Sequence, residues 1–210
     1  MRLIDSHSHL DAPEFDADRD AVVARAASLG VVAQIVPAVS AATFPALAAL
    51  CRGRTDRFAA YGLHPMYLDQ HADADVDVVR ERLAVEPAVA VGECGLDFHV
   101  DGLDPERQRH LFDAQLRLAR EFDLPLILHA RRAVDEVILR LRRIGGLRGV
   151  VHSFGGSAEQ ARQLFQFGFH LGIGGPVTYA RAQRLRGLVA TMPIEHLLLE
   201  SDAPDQPNAS

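Results

Sequence analysis

The 210-residue chain carries 22 basic side chains, every one an arginine, against 28 carboxylates, for a formal net charge of −6. The absence of lysine excludes Schiff-base, P-loop and general-base lysines, as well as a carbamylated lysine between two metals, so a binuclear site would need a carboxylate bridge. The acidic balance argues against a broad basic surface for duplex DNA while leaving open a nuclease that grips phosphate through metal ions, and two isolated cysteines give neither a disulfide framework nor a CxxC zinc motif.

In chain order, short β-branched or apolar runs alternate with longer helical stretches. Residues 3–7 predict a strand and 19–29 a helix that stops at Gly30. The continuous apolar run over 31–37 suits a strand covered on both faces, and the helix over 43–51 takes Ser40 as its N-cap. A strand over 58–63 leads to a helix over 75–85 ended by Pro87. The strand at 88–92 is followed by a helix over 105–122, which opens on proline and closes before Pro125. Strands at 125–129 and 149–152 precede helices at 133–144 and 158–167, each stopped by glycine. A strand at 169–173, a helix at 181–189 and a strand at 196–200 complete the series. Eight strands and seven helices, at about 26 residues per unit, suit either a closed (β/α)8 barrel or an open doubly wound sheet. No dinucleotide-binding glycine fingerprint follows the first strand. Residues 203–210, with two prolines, are too few for an eighth outer helix. With 48% hydrophobic residues and no linker-like stretch, residues 1–210 read as a single domain. No apolar leader or segment of membrane-spanning length is present, so a soluble cytoplasmic protein is expected.

Ligand-type side chains fall where the strands end. His7 and His9 close the first strand, Glu93 the fourth, His129 the fifth and His152 the sixth, and Asp202 lies just beyond the eighth. In a (β/α)8 barrel those ends converge on one rim. His7 and His9, at i and i+2, share a face and can reach one ion. Asp5 continues that face, either orienting a histidine or satisfying a neighbouring backbone group. Glu93, set between glycines, is the best candidate bridge in a chain without lysine. Beside it, Cys94 reads as a small buried thiol and Asp97 as a carboxylate that fixes a loop. Arg131, two residues past His129, suits an anionic substrate, whereas Arg132 is expected to point elsewhere. Asp202 can bind metal and accept a proton from the attacking water, with Glu200 deeper in the strand. His64 is either a third-strand ligand or a hydrogen-bond donor to substrate, the latter favoured because the metal set is complete without it. His71, His99, His110, His170 and His196 receive no functional role.

These segments, from Ile4-Asp5-Ser6-His7-Ser8-His9-Leu10-Asp11 through Gly62-Leu63-His64-Pro65, Val91-Gly92-Glu93-Cys94-Gly95-Leu96-Asp97, His129-Ala130-Arg131 and His152-Ser153-Phe154-Gly155-Gly156-Ser157 to Leu198-Leu199-Glu200-Ser201-Asp202-Ala203-Pro204, resemble the TatD family of metal-dependent hydrolases over essentially the whole chain. The resemblance implies a (β/α)8 TIM-type barrel with two divalent cations per subunit. His7, His9 and Asp202 would hold one, His129 and His152 the other, with Glu93 bridging. It also implies DNase activity, with Asp202 and Glu93 catalytic and with His64 and Arg131 positioning the phosphate. Histidine-rich ligation suits zinc, manganese or iron better than a bare magnesium site. The expected substrate is DNA or another phosphodiester, bound locally as single strands or ends. A small-molecule amidohydrolase or esterase on the same metal site and a non-catalytic metal-binding protein are the alternatives. The family pattern continues past Asp-Ala-Pro to an Asn-x-Pro element and a final helix, which residues 205–210 do not reach. An incomplete form, or a second subunit covering the flank beside the first and last strands, is therefore expected.

Overall fold

Residues 1–209 are described in the computed structural model. The apolar runs form eight strands: β1 (Leu3–Asp5), β2 (Val31–Pro37), β3 (Arg57–Tyr61), β4 (Ala90–Asp97), β5 (Leu126–Arg131), β6 (Gly149–Val151), β7 (Phe169–Ile173) and β8 (Leu197–Leu199). Between them lie α1 (Arg19–Ser28), α2 (Phe44–Cys51), α3 (Asp75–Val85), α4 (Pro105–Glu121), α5 (Val134–Ile144), α6 (Ala158–Gln166) and α7 (Gln183–Thr191). Every strand pairs in parallel with the next, in the order β1 to β8. That sequential order excludes the doubly wound alternative, whose strand order reverses at a switch point.

The seam between β8 and β1 is drawn together by hydrogen bonds around the strand ends. Ser6 donates from its amide and its hydroxyl to the Leu199 carbonyl, at 2.9 and 3.0 Å. Asp202 N–H reaches His7 O at 2.9 Å, and His9 N–H reaches Ala203 O at 2.8 Å. Of its two expected roles Asp5 takes the backbone one, accepting from Ser201 N–H at 3.0 Å and from its hydroxyl at 2.6 Å. The result is a nearly closed (β/α)8 barrel.

Two apolar layers hold it. Ala60, Ala90, Ile127 and Val150, with Ile35 and Leu198 against them, come from six strands and no helix, and so fill the barrel interior. The larger layer lies between strands and helices. On α5, Val134, Val137, Ile138 and Leu141 are buried at the i, i+3, i+4, i+7 spacing of one helix face. Asp104 caps α4 by accepting from Glu106 N–H at 2.9 Å, and Ser157 with Gln160 forms a capping box on α6. Beside β1 and β8 the described residues hold no eighth outer helix, and Ile4 and Leu199 there are 56% and 47% exposed. Among the described residues no helix is long and apolar enough to cross a membrane.

Some element ends differ from expectation. β1 stops at Asp5, so His7 and His9 lie on the segment after the strand. β4 and β5 run past their expected ends to Asp97 and Arg131 because Gly95, Leu96 and Asp97 continue to pair with His129, Ala130 and Arg131. Glu93 is therefore inside its strand, at a register shift between Val91 and Cys94 of the kind that re-aims a side chain. Ser40 does not cap α2. It precedes a 3-10 turn over Ala41–Thr43, its carbonyl accepting from the Thr43 hydroxyl at 2.9 Å, and Thr43 is the residue before the helix.

Candidate metal centre

Parallel strands in a barrel deliver their C-terminal ends to one mouth. There the six candidate ligands meet, gathered around one fully buried carboxylate. Glu93 Oε2 faces the β1 side, 3.1 Å from His7 Nε2 and 3.5 Å from His9 Nε2. Those two imidazole nitrogens are 3.2 Å apart, and Asp202 Oδ1 lies 3.4 and 3.6 Å from them. Glu93 Oε1 faces the other way, 2.9 Å from His64 Nε2, 3.2 Å from His129 Nδ1 and 2.9 Å from His152 Nε2. Close backbone approach makes room for this arrangement. A Cβ on Gly62 would fall 2.7 Å from Gly92 Cα and 2.9 Å from Glu93 O, and one on Gly172 would collide with the Glu200 carboxylate.

The outer partners of the histidines decide which nitrogen carries the proton. Asp97 Oδ2 sits 2.8 Å from His129 Nε2, so that nitrogen donates and Nδ1 keeps its lone pair toward Glu93. Glu200 Oε1 accepts from Ser153 N–H at 2.6 Å and lies 3.7 Å from His152 Nδ1, placing a negative charge behind the ring whose Nε2 faces the same centre. His64 is the reverse case. Its Nδ1 accepts from Met66 N–H at 3.1 Å, which leaves Nε2 as an N–H donor beside Glu93. On the opposite side, Gln206 donates from Nε2 to Asp202 Oδ2, and Ser153 donates its hydroxyl to Gln206 Oε1 at 2.7 Å. Asp202 and Ser153 both hold left-handed backbone, with φ of 55° and 44°.

The electrostatics follow from burial and crowding. Burial favours the neutral imidazole and lowers His7 and His64 to about 4. Burial opposes ionisation of Glu93, but the charges of His64, His152 and His7 overcome it and hold the carboxyl well below its ordinary value. His152 is pushed up against its own burial by Glu93 and Glu200, and His129 by Asp97 and Glu93. Burial raises Asp202 to about 6, while Asp97 falls to about 2 despite its burial because His129 and two backbone amides bond it. Burial also pushes the Cys94 thiol up, as befits an inert group.

Both Glu93 oxygens and Nδ1 of His7, His9 and His152 are buried without a hydrogen-bond partner of good geometry. Two buried carboxylate oxygens without a well-formed partner, faced by several imidazole nitrogens, call for a ligand. Ligand atoms of three overlapping sets (His7, Glu93 and His152; His7, His9 and Asp202; His64, Glu93 and His129) lie within 4.8 Å of one another. Imidazole nitrogens converging on a buried carboxylate fit a divalent-metal site.

Above the cluster opens a cavity of about 1420 Å³, with exposed Arg131 on its rim. Arg132, expected to point elsewhere, lines the same rim. Asp97 fixes its loop as expected, accepting from His99 and Val100 N–H at 2.8 and 3.0 Å, and in addition grips His129. His71, for which the sequence suggests no role, is buried and donates from Nε2 to His64 O at 2.9 Å, pinning the backbone of His64. Its signal in the sequence is nil, since seven residues and a 3-10 turn separate the two. Gln206 likewise reads as an ordinary loop residue.

A family model described as TatD-related DNase matches residues 4–209. An uncharacterized metal-dependent hydrolase of Escherichia coli K12, YjjV, is 46% identical over 209 residues, covering 98% of this chain and 81% of that protein. The 3'-5' ssDNA/RNA exonuclease TatD of Erwinia tasmaniensis is 35% identical over 207 residues, covering 96% of this chain and 80% of that one. The crystal structure of the E. coli YjjV protein superposes with a TM-score of 0.94 at 43% identity, covering 100% of this chain and 82% of that one.

Proposed function

The chain belongs to the TatD-related DNase family of metal-dependent hydrolases, and we propose that within it this protein is a deoxyribonuclease cleaving phosphodiester bonds in single strands or at DNA ends. The observation that carries this reading is the division of Glu93 between two groups of nitrogen and oxygen ligands. His7, His9 and Asp202 would hold one divalent cation, His129 and His152 a second, and Glu93 would bridge them. When bound, such cations would supply positive charge for the phosphate oxygens and acidify the attacking water. Asp202 takes the proton from that water, with Gln206 steadying its outer oxygen. His64, whose Nε2 carries a proton, donates to the phosphate, and Arg131 on the rim orients it. Zinc, manganese or iron suits the nitrogen-rich set. The cavity exceeds the roughly 300–1,000 Å³ of a small-ligand pocket and leaves room for a polymer. The name of the Erwinia relative, an exonuclease on single-stranded DNA and RNA, supports the substrate class. Residues 1–210 work as one barrel domain.

The test is incubation of metal-loaded protein with end-labelled single-stranded DNA, beside an Asp202→Ala control. Release of labelled product by the wild type alone is the expected result. Failure with each of magnesium, manganese, zinc and cobalt would overturn it, and turnover of a lactone or amide panel instead would assign the site to a small-molecule hydrolase.

A further inference from the structure

The walls of the mouth differ in charge. Where β5 to β7 end, Arg131, Arg132 and Arg184 line the cavity, all exposed. Arg184 is anchored to the neighbouring loop after β6 by a 2.6 Å bond to Gly155 O, and none of the three joins an ion pair among the described residues. Of the two acids on that wall, Glu136 is bonded by Arg109 and Arg140, and Asp135 by Gln160. Across the barrel from β5, where β1 ends, the cavity is lined by Asp11 and Glu14, and Asp205 lines it after β8, beside β7; Glu14 and Asp205 are exposed and without an arginine partner. In a chain with a net charge of −6, three unpaired arginines on one wall are a local attraction for polyanions rather than a general one.

Resting on the proposed nuclease reading, we infer that a single-stranded polynucleotide leaves the centre over the β5–β7 wall alone. Its successive phosphates meet Arg131, Arg132 and Arg184, and the acidic wall ends the path on the other side. A strand lying across the whole mouth would carry phosphates onto Glu14 and Asp205. The site therefore takes a strand terminus, with one phosphate at the centre and the following ones on arginine. Tyr67, 39% exposed beside His64 at a ring separation of 5.6 Å, offers a stacking face for the base at the reacting position.

The experiment compares wild type with the Arg132→Gln/Arg184→Gln double variant on a single strand of about 12 nucleotides, within the site sizes of single-strand binders, and on bis(4-nitrophenyl) phosphate. It also measures binding of the labelled strand against salt. The ratio of kcat/KM for the strand to that for the small diester is expected to fall about tenfold. The slope of log affinity against log salt should flatten by about 1.4, at roughly 0.7 for each phosphate that arginine no longer neutralises. Glu14→Gln/Asp205→Asn should raise cleavage of a circular single strand relative to a linear one. An unchanged ratio and slope in an active enzyme would overturn the arginine path, as would efficient cutting of circles by the wild type. A wild type that hydrolyses neither substrate yet binds the strand with the expected slope would overturn the nuclease reading and support the wall, and no binding at all would overturn the wall.

Discussion

The two sides of Glu93 are built differently. On the Oε1 side, His129 lies within β5 and His152 just past β6, both strands paired on both edges, and a carboxylate stands near each, Asp97 at 2.8 Å from His129 Nε2 and Glu200 at 3.7 Å from His152 Nδ1. On the Oε2 side, His7, His9 and Asp202 sit on connecting segments at the β1–β8 seam. There neither histidine has a carboxylate beside its outer Nδ1, and the main restraint on the Asp202 carboxylate is one glutamine amide. Outer partners fix ring orientation and raise ligand basicity. The Oε1 side is thus preorganised by the sheet, whereas the Oε2 side depends on how well the seam is closed.

The largest effect should come from removing what the two sides share. Glu93→Gln is expected to lower affinity for both cations beyond the roughly 100-fold cost of losing an outer partner, read as metal content after dialysis. If one cation is retained at full affinity, the two sides are independent and Glu93 is no bridge. Asp97→Asn should then sharpen the contrast, weakening one of two binding events about 10- to 100-fold and leaving the other in place. Titration calorimetry with zinc or manganese separates them. Gln206→Ala acts on the opposite event, with a loss of about tenfold or less, since Asp202 keeps its own position in the seam. Equal weakening of both events by either variant would erase the distinction.

Protons give the smallest signal and an independent one. In the metal-free protein His129 and His152 are raised by their carboxylates, so a cation on the Oε1 side competes with protons there and its binding is expected to release them. His7, lowered to about 4, is already neutral, and Asp202, raised to about 6, is mostly ionised, so the Oε2 side releases few. As pH falls through about 6 the proton returns to Asp202 and affinity on that side is lost, while above it that competition vanishes. Calorimetry at neutral pH in two buffers of different ionisation enthalpy measures the release directly.

The sequence reveals the barrel and the gathering of its six ligand-type residues for the same reason. Strand periodicity and strand-end position are local patterns, and a parallel barrel turns equal positions in sequence into one rim in space. His129 is legible from the apolar run before it, and His7 and His9 from their spacing. What stays hidden is set by distant partners. Asp97 meets His129 across 32 residues, and Ser153 meets Gln206 across 53, with no periodicity to announce either. The proton positions that separate His64 from its neighbours depend on such contacts, so the choice between ligand and donor rests on the Met66 amide, whose position no local pattern specifies.

The seam also bears on how the molecule comes to be. Its contacts join positions 193 to 196 residues apart, such as Ser6 with Leu199 and Asp5 with Ser201. Closing so large a loop is costly until the intervening units have condensed. The seam is therefore expected to close late in folding, and the Oε2 half of the centre to be assembled in that same step. A cation added during refolding would act on barrel closure and leave the earlier collapse untouched, so it should shift the final kinetic phase alone.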